Sequence, residues 1–177
     1  MRICLFGGPG IGKSTLAYRL TASLKEMGLS VAFVDEWIKA WAYEKRIPKG
    51  WDQFYVFGQQ LYKEAHVLQN GVSHLVTDSP VLMQCAYMRR DKVNYADECL
   101  STALKFDADY PSINIRLLRG GFEYEHQGRY ESYDQAVAVD HMIKDIMDAN
   151  LKDYLECRAV DHETLLRDII PRIKCCR

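Results

Sequence analysis

Short apolar runs alternate along the chain with longer stretches of helical periodicity. Apolar runs typical of buried strands occupy residues 2–6, 31–34, 73–77, 113–118 and 154–160. The segments between them space their apolar side chains as helices do, at 14–27, after 50 to about 70, and at 81–90, 95–106, 133–150 and 163–174. Strands that alternate with helices indicate an α/β fold, with a parallel sheet covered by helices on both faces.

A complete phosphate-binding motif, G-x-x-x-x-G-K-[ST], occupies residues 7–14 at the predicted turn from the first strand to the first helix. Glycines let backbone amides approach phosphate oxygens, and the new helix directs the positive end of its dipole at the same anion. Lys13 can bridge the β- and γ-phosphates, and the Ser14 hydroxyl can bind Mg²⁺. The motif therefore predicts a site for ATP and Mg²⁺, formed by Gly8, Pro9, Gly10, Ile11, Gly12, Lys13, Ser14 and Thr15.

Acidic residues follow the second predicted strand. Ligands of parallel sheets bind beyond the carboxyl ends of the strands, so Asp35 and Glu36 should lie on the same rim as the phosphate loop. Asp35 is the first candidate for the catalytic base that accepts the proton of an attacking hydroxyl. Glu36 is the competing carboxylate, and Asp35 as a helix cap or surface acid is the alternative.

Asp78 ends the third predicted strand, where an acid commonly holds Mg²⁺ directly or through water. We predict a metal site formed by Asp78 and Ser14. Asp78 could instead cap the helix that begins at Pro80, a role open equally to Ser79.

Arginines flank a glycine pair after the fourth strand. Arg119 and Arg129 lie on either side of Gly120-Gly121, so a lid over about 119–131 could bring guanidinium groups onto the transferred phosphoryl group. A solvated basic loop is the alternative. Arg116 lies inside a strand, and Arg89-Arg90 are better explained as a solvated helix end than as an acceptor-phosphate contact.

Aromatic side chains are concentrated in the predicted acceptor-side segment, residues 36–70. Flat apolar rings near a phosphate site suggest a slot for stacking the base or ring of the acceptor, although core packing explains any single ring as well. Their helical spacing predicts that three side chains of this segment pack in the core, namely Phe54, Phe57 and Leu61. The predicted acceptor-binding residues are Glu36, Trp37, Trp41 and Tyr43.

Composition limits the classes of protein that fit. The 177 residues, 48% of them apolar, suffice for one domain over 1–177, and the net charge of −1 gives no sign of a polyanionic partner. The six cysteines have no zinc-ligand spacing and are expected to be reduced thiols. The sequence contains neither a signal peptide nor a membrane span, so we expect a cytoplasmic protein.

The phosphate loop, the strand-end Asp35, the Asp78-Ser79-Pro80 turn and the arginine-flanked lid resemble the small P-loop kinases of the nucleoside and nucleotide kinase superfamily. The pattern is most similar to compact phage-encoded members labelled as AAA-type ATPases. The resemblance implies a three-layer P-loop NTPase fold with a five-stranded parallel sheet in the order 2-3-1-4-5. It also implies that the acid after the second strand contacts the acceptor hydroxyl and that lid arginines hold phosphates. Asp78 is not followed by the arginine of related kinase signatures, which leaves the acceptor open.

These features predict a kinase that transfers the γ-phosphoryl group of Mg·ATP to a nucleoside or nucleotide. One alternative acceptor is DNA, through a hydroxymethyl-pyrimidine base or a terminal hydroxyl, and another function is an ATP-dependent switch or scaffold. A GTPase is disfavoured because the sequence has no Asn-Lys-x-Asp motif, and adenine recognition by the backbone near Val160-Asp161 is inferred by analogy. The oligomeric state stays open.

Overall fold

A computed structural model describes residues 1–121, 123–124 and 130–174 of the chain. Five strands pair in parallel in the order β2-β3-β1-β4-β5, which confirms the predicted sheet. The strands are β1 (Arg2–Phe6), β2 (Val31–Val34), β3 (His74–Thr77), β4 (Ser112–Leu118) and β5 (Leu155–Arg158). The edge strand β5 is shorter than predicted, and its exposure alternates along its length because one face is open to solvent.

Helices cover both faces of the sheet. They are α1 (Lys13–Glu26), α2 (Lys39–Tyr43), α3 (Asp52–Gln69), α4 (Val81–Arg90), α5 (Ala96–Asp109), α6 (Tyr133–Asn150) and α7 (His162–Lys174). In the part of the chain that the structure describes, every helix is too short or too polar to cross a bilayer.

Strand β1 contributes to two separate apolar cores. Ile3 and Leu5 pack in the core that contains side chains of α1 and α7, whereas Cys4 and Phe6 pack in the core formed with α3, α4, α5 and α6. Successive side chains of a strand point to opposite faces, so this division marks the two sides of the sheet. The arrangement is the predicted three-layer fold.

A buried ionic cluster holds the N-terminal end of β1. The guanidinium of Arg2, fully buried, pairs with Glu64 of α3 at 3.1 Å and with Asp107 of α5. Its Nε also donates to the carbonyl oxygen of Tyr110 at 2.9 Å. The cluster ties the central strand to two helices at the edge of the sheet opposite to the phosphate loop.

Phe54 lies at the surface, so its assignment to the core was wrong. Its side chain is 50% exposed and makes edge contacts with Trp51 and Tyr95. Phe57 and Leu61, further along the same helix, do pack in the core. The helical spacing was correct, but it could not say where the apolar face of α3 ends.

Candidate functional site

The loop between β1 and α1 lies at the carboxyl edge of the sheet, between the ends of β3 and β4. Gly10 and Gly12 have φ angles of 75° and 94°, a backbone conformation that glycine adopts without steric cost. Gly12 is the N-cap of α1, and among the described residues no side chain caps this helix end. Its first amides are therefore available to an anion, so the loop fits the phosphates of a nucleotide.

Lys13 lies across the phosphate loop. Its Nζ donates to the carbonyl oxygens of Gly7 at 2.7 Å and Gly8 at 2.9 Å, and only 9% of the residue is exposed. The ammonium is thus positioned by the loop backbone and lies on the wall of the neighbouring cavity.

Ser14 and Asp78 are in contact, as the predicted metal site requires. The Ser14 hydroxyl donates to Asp78 Oδ2 at 2.5 Å. Asp78 Oδ1 is buried without a hydrogen-bond partner in the described part of the chain, which costs free energy unless a ligand satisfies it. Hydroxyl and carboxylate oxygens suit Mg²⁺, so these two residues fit the ion. The N-cap of α4 is Pro80, and no side chain of the described residues caps it, so the capping role considered for Asp78 and Ser79 is not observed.

A cavity of about 790 Å³ extends from the phosphate loop towards α2, α3 and α4. This volume falls within the range of about 300–1,000 Å³ typical of small-molecule sites. One wall is the loop itself, residues 9–15. The remainder of the lining includes Glu36, Lys39, Tyr43, Gln53, Gln84, Tyr87, Arg90, Asp91, Tyr130 and Glu131.

The two acids after β2 lie in different surroundings. The Asp35 side chain is 56% exposed, forms an ion pair with Lys63 and does not line the cavity. The neighbouring Glu36 does line it. Burial raises the pKa of the Glu36 carboxyl, the Lys13 ammonium opposes this rise, and the carboxylates of Asp78 and Glu131 add to it. The cavity is therefore lined by Glu36, the alternative candidate for the base, and not by Asp35, the first candidate.

A polar network lines part of the cavity. Arg90 donates to Asp91 through Nε at 2.7 Å and to Glu131 through Nη1 at 2.7 Å. Gln53 Nε2 donates to the other oxygen of Asp91, also at 2.7 Å. Arg90 is thus part of the cavity and not a solvated helix end. No sequence motif marks the cavity residues Gln53, Gln84, Asp91 and Glu131, so they were not predicted.

The predicted stacking residues do not all line the cavity. The rings of Trp37 and Trp41 contact each other at 5.2 Å, Trp37 contacts Tyr55 at 5.0 Å, and neither tryptophan lines the cavity. Only Tyr43 of the predicted aromatic set lies on the wall, where it is 62% exposed. The other rings on the wall belong to Tyr18, Tyr87 and Tyr130.

Arg119 lies against the phosphate loop and not on the cavity wall. Its Nε donates to Asp140 Oδ2 at 2.5 Å, and its Nη2 donates to the carbonyl oxygen of Pro9 at 3.0 Å. Arg129, the other predicted catalytic arginine, lies outside the described residues. So do Phe122 and residues 125–128 of the predicted lid. The lid role stays a prediction.

Comparison with known proteins agrees with this architecture. The sheet order and the phosphate loop define a P-loop NTPase fold. A family model described as an AAA domain matches residues 2–164, so the chain belongs to that family.

Two solved structures of deoxyadenosine kinase from M. mycoides are similar to this chain. The structure with the products dCMP and a flexible dCDP bound has a TM-score of 0.60 at 16% identity, covering 99% of this chain and 100% of that one. The structure with bound dATP has a TM-score of 0.58 at 17% identity, covering 98% and 99% of the two chains. A search of curated proteins finds no match. At such identities the likeness shows the fold.

Proposed function

We propose that the protein is a kinase that transfers the γ-phosphoryl group of ATP to a hydroxyl of a nucleoside. The observation that carries this proposal is that the Glu36 carboxyl shares a ligand-sized cavity with Lys13 and Ser14 of the phosphate loop. A phosphotransferase needs a base within reach of the acceptor hydroxyl beside the phosphoryl donor. A nucleotide-dependent switch or scaffold has no such requirement.

The loop, Asp78 and Glu36 have separate tasks in this reaction. The loop amides and Lys13 bind the triphosphate, and Ser14 and Asp78 would hold Mg²⁺, which offsets the charge of the phosphate oxygens when bound. The oxygen of the acceptor hydroxyl bonds to the γ-phosphorus, and Glu36 accepts the proton that this hydroxyl loses. The bond from that phosphorus to the bridging oxygen breaks, and ADP leaves with the electron pair.

The charges on the acceptor side favour a neutral acceptor. On the described lining beyond the loop, the three carboxylates of Glu36, Asp91 and Glu131 outnumber the two cations, Lys39 and Arg90, whereas Lys13 belongs to the loop that would bind the ATP phosphates. Arg90 already pairs with Asp91 and Glu131. The phosphate of a nucleotide acceptor would add negative charge to a wall that is already acidic, so a nucleoside fits better than its monophosphate.

Labelled ATP and a panel of acceptors test the proposal. The panel contains the common nucleosides, their monophosphates and a DNA oligonucleotide with free ends, each with magnesium and purified protein. We expect transfer to nucleosides. Transfer only to monophosphates or to DNA would contradict the proposed acceptor, and ATP consumption that no acceptor stimulates would favour the switch.

Two neighbouring substitutions test the base. Glu36→Gln should lower kcat by about 100-fold or more, with ATP affinity retained, since loss of a general base removes about that factor. Asp35→Asn should keep most of the activity, because its side chain lies outside the cavity. The reverse result would assign the base to Asp35.

A further inference from the structure

Gly8 occupies a position at which the phosphate-binding motif accepts any residue. A Cβ added to Gly8 would lie 2.6 Å from Asp140 Oδ1 and 2.7 Å from the carbonyl oxygen of Ala136. Both groups belong to α6, so this helix packs directly against the loop backbone. The glycine is therefore needed here for the close approach of α6.

Asp140 and Arg119 connect α6 and the end of β4 to two consecutive residues of the loop. Asp140 Oδ1 accepts the Gly8 N–H at 2.6 Å, and Oδ2 accepts from Arg119 Nε at 2.5 Å. The Arg119 Nη2 then donates to the carbonyl oxygen of Pro9 at 3.0 Å. These bonds form a continuous bridge in which every hydrogen bond involves a charged group.

The bridge is partly shielded from water. The side chains of Asp140 and Arg119 are 16% and 18% exposed, and the guanidinium lies 5.6 Å from the centre of the Tyr133 ring. Such shielding makes a charged pair more rigid and less sensitive to salt than a pair at an open surface.

We propose that Asp140 and Arg119 are positioning residues that clamp the phosphate loop in its nucleotide-binding conformation. The inference rests on the proposed function only in that the loop binds a nucleotide. Loop amides must converge on the phosphate oxygens, and a loop already fixed in this shape binds with a smaller loss of conformational freedom. Arg119 thereby acts on the loop backbone, in place of the phosphoryl contact expected of a lid arginine.

The first test measures the Kd of ADP with magnesium by calorimetry, without any acceptor. Asp140→Ala and Arg119→Ala should each weaken binding by about tenfold, which corresponds to about 1.4 kcal/mol. The double variant should be little weaker than either single one, because both substitutions remove the same clamp. Asp145→Ala, at an exposed position of the same helix, is the matched control and should bind as the wild type does.

Conservative variants separate positioning from folding. Asp140→Asn retains an oxygen for the Gly8 N–H but loses the charge that Arg119 binds, so its Kd should lie between those of wild type and Asp140→Ala. Arg119→Lys has no planar fork to bridge Asp140 and Pro9, so we expect it to behave like Arg119→Ala. If Asp140→Ala does not fold, Asp140→Asn carries the comparison.

Hydrogen exchange gives a readout that does not depend on nucleotide. In the free protein, the amides of residues 7, 8 and 10–12 should exchange faster in Asp140→Ala than in wild type or Asp145→Ala, at temperatures far below melting. Unchanged exchange of these amides, or unchanged or tighter ADP binding by the alanine variants, would overturn the clamp. Tighter binding would show that the bridge holds the loop in a conformation that disfavours nucleotide. If the wild type does not bind ADP, the proposed function fails, whereas the exchange comparison still decides the clamp.

Discussion

The surroundings of Glu36 oppose its ionisation. Burial is the largest effect, and the nearby carboxylates of Asp78 and Glu131 act in the same direction, against the Lys13 ammonium. The pKa of Glu36 is therefore raised from its usual value of 4.5. A base with a raised pKa binds the proton of the acceptor hydroxyl more strongly than an ordinary carboxylate, which suits the role proposed for it.

This environment predicts the acid limb of the pH–rate profile. The proposed base must be deprotonated to act, so kcat/KM for the acceptor should rise with pH, with a midpoint above the ordinary glutamate value of 4.5. The measurement uses saturating ATP and pH values from about 4.5 upwards. Asp35→Asn should leave the midpoint unchanged. A kcat/KM that already exceeds half of its plateau at the lowest pH would remove Glu36 from the proton transfer.

Helix α3 supports the turn that carries Asp78. Glu64 Oε1 accepts hydrogen bonds from the Val81 amide at 3.1 Å and the Thr77 hydroxyl at 3.5 Å, on either side of that turn. Its other oxygen pairs with Arg2 at 3.1 Å. Both Glu64 and Arg2 are fully buried, so one carboxylate connects α3 to the central strand and to the turn between β3 and α4.

Removal of this carboxylate should therefore cost stability. Glu64→Ala leaves the buried Arg2 with Asp107 as its remaining carboxylate partner and frees the Val81 amide, which should lower the free energy of unfolding by about 3–5 kcal/mol. Urea unfolding measures the change. Glu98→Ala, at an exposed position in the first turn of α5, should cost at most about 1 kcal/mol. Equal losses for the two variants would show that Glu64 does not anchor the turn.

The strands and the phosphate loop were predictable because their signals are local. Apolar runs identified β1 to β4 within a residue at each end, and the motif at 7–14 marks a loop whose geometry depends on its own glycines. Side chains such as Gln53 and Asp140 reach the site from helices distant in sequence. Their places depend on how α3 and α6 pack on the sheet, which no spacing along the chain records.

The sequence could not rank Asp35 and Glu36 as candidate bases for a related reason. Both follow β2 directly, and the orientation of each depends on the path of the chain after the strand ends. The aromatic segment gave a similarly ambiguous signal. The rings of Trp37 and Trp41 contact each other and do not line the cavity, because large rings close in sequence can pack locally.

The two ends of the central strand differ in how completely buried charge is satisfied. At the end where β1 begins, Arg2 is paired with Glu64 and Asp107 and also donates to a carbonyl oxygen. Where β1 ends, a helix N-terminus has no side-chain cap among the described residues, and one oxygen of Asp78 has no hydrogen-bond partner among them. The fold thus keeps unsatisfied groups at the edge where a ligand is proposed to bind, a trade of stability for function.

This trade predicts opposite effects of Asp78→Asn on the free and the liganded protein. The substitution removes a buried charge whose hydrogen-bond partner among the described residues is Ser14, so the melting temperature of the free protein should rise. Wild-type protein should gain about 2.7 kcal/mol of stability from Mg·ATP at 100 times its Kd, and Asp78→Asn should lose much of this gain.

Thermal melts with ATP, with and without excess chelator, separate the magnesium-dependent part. Chelator should reduce the rise in wild-type melting temperature caused by ATP towards the small rise of the variant, and Asp35→Asn should respond as wild type does. A free variant less stable than wild type, with an undiminished response to Mg·ATP, would show that Asp78 is a structural group and not a metal ligand.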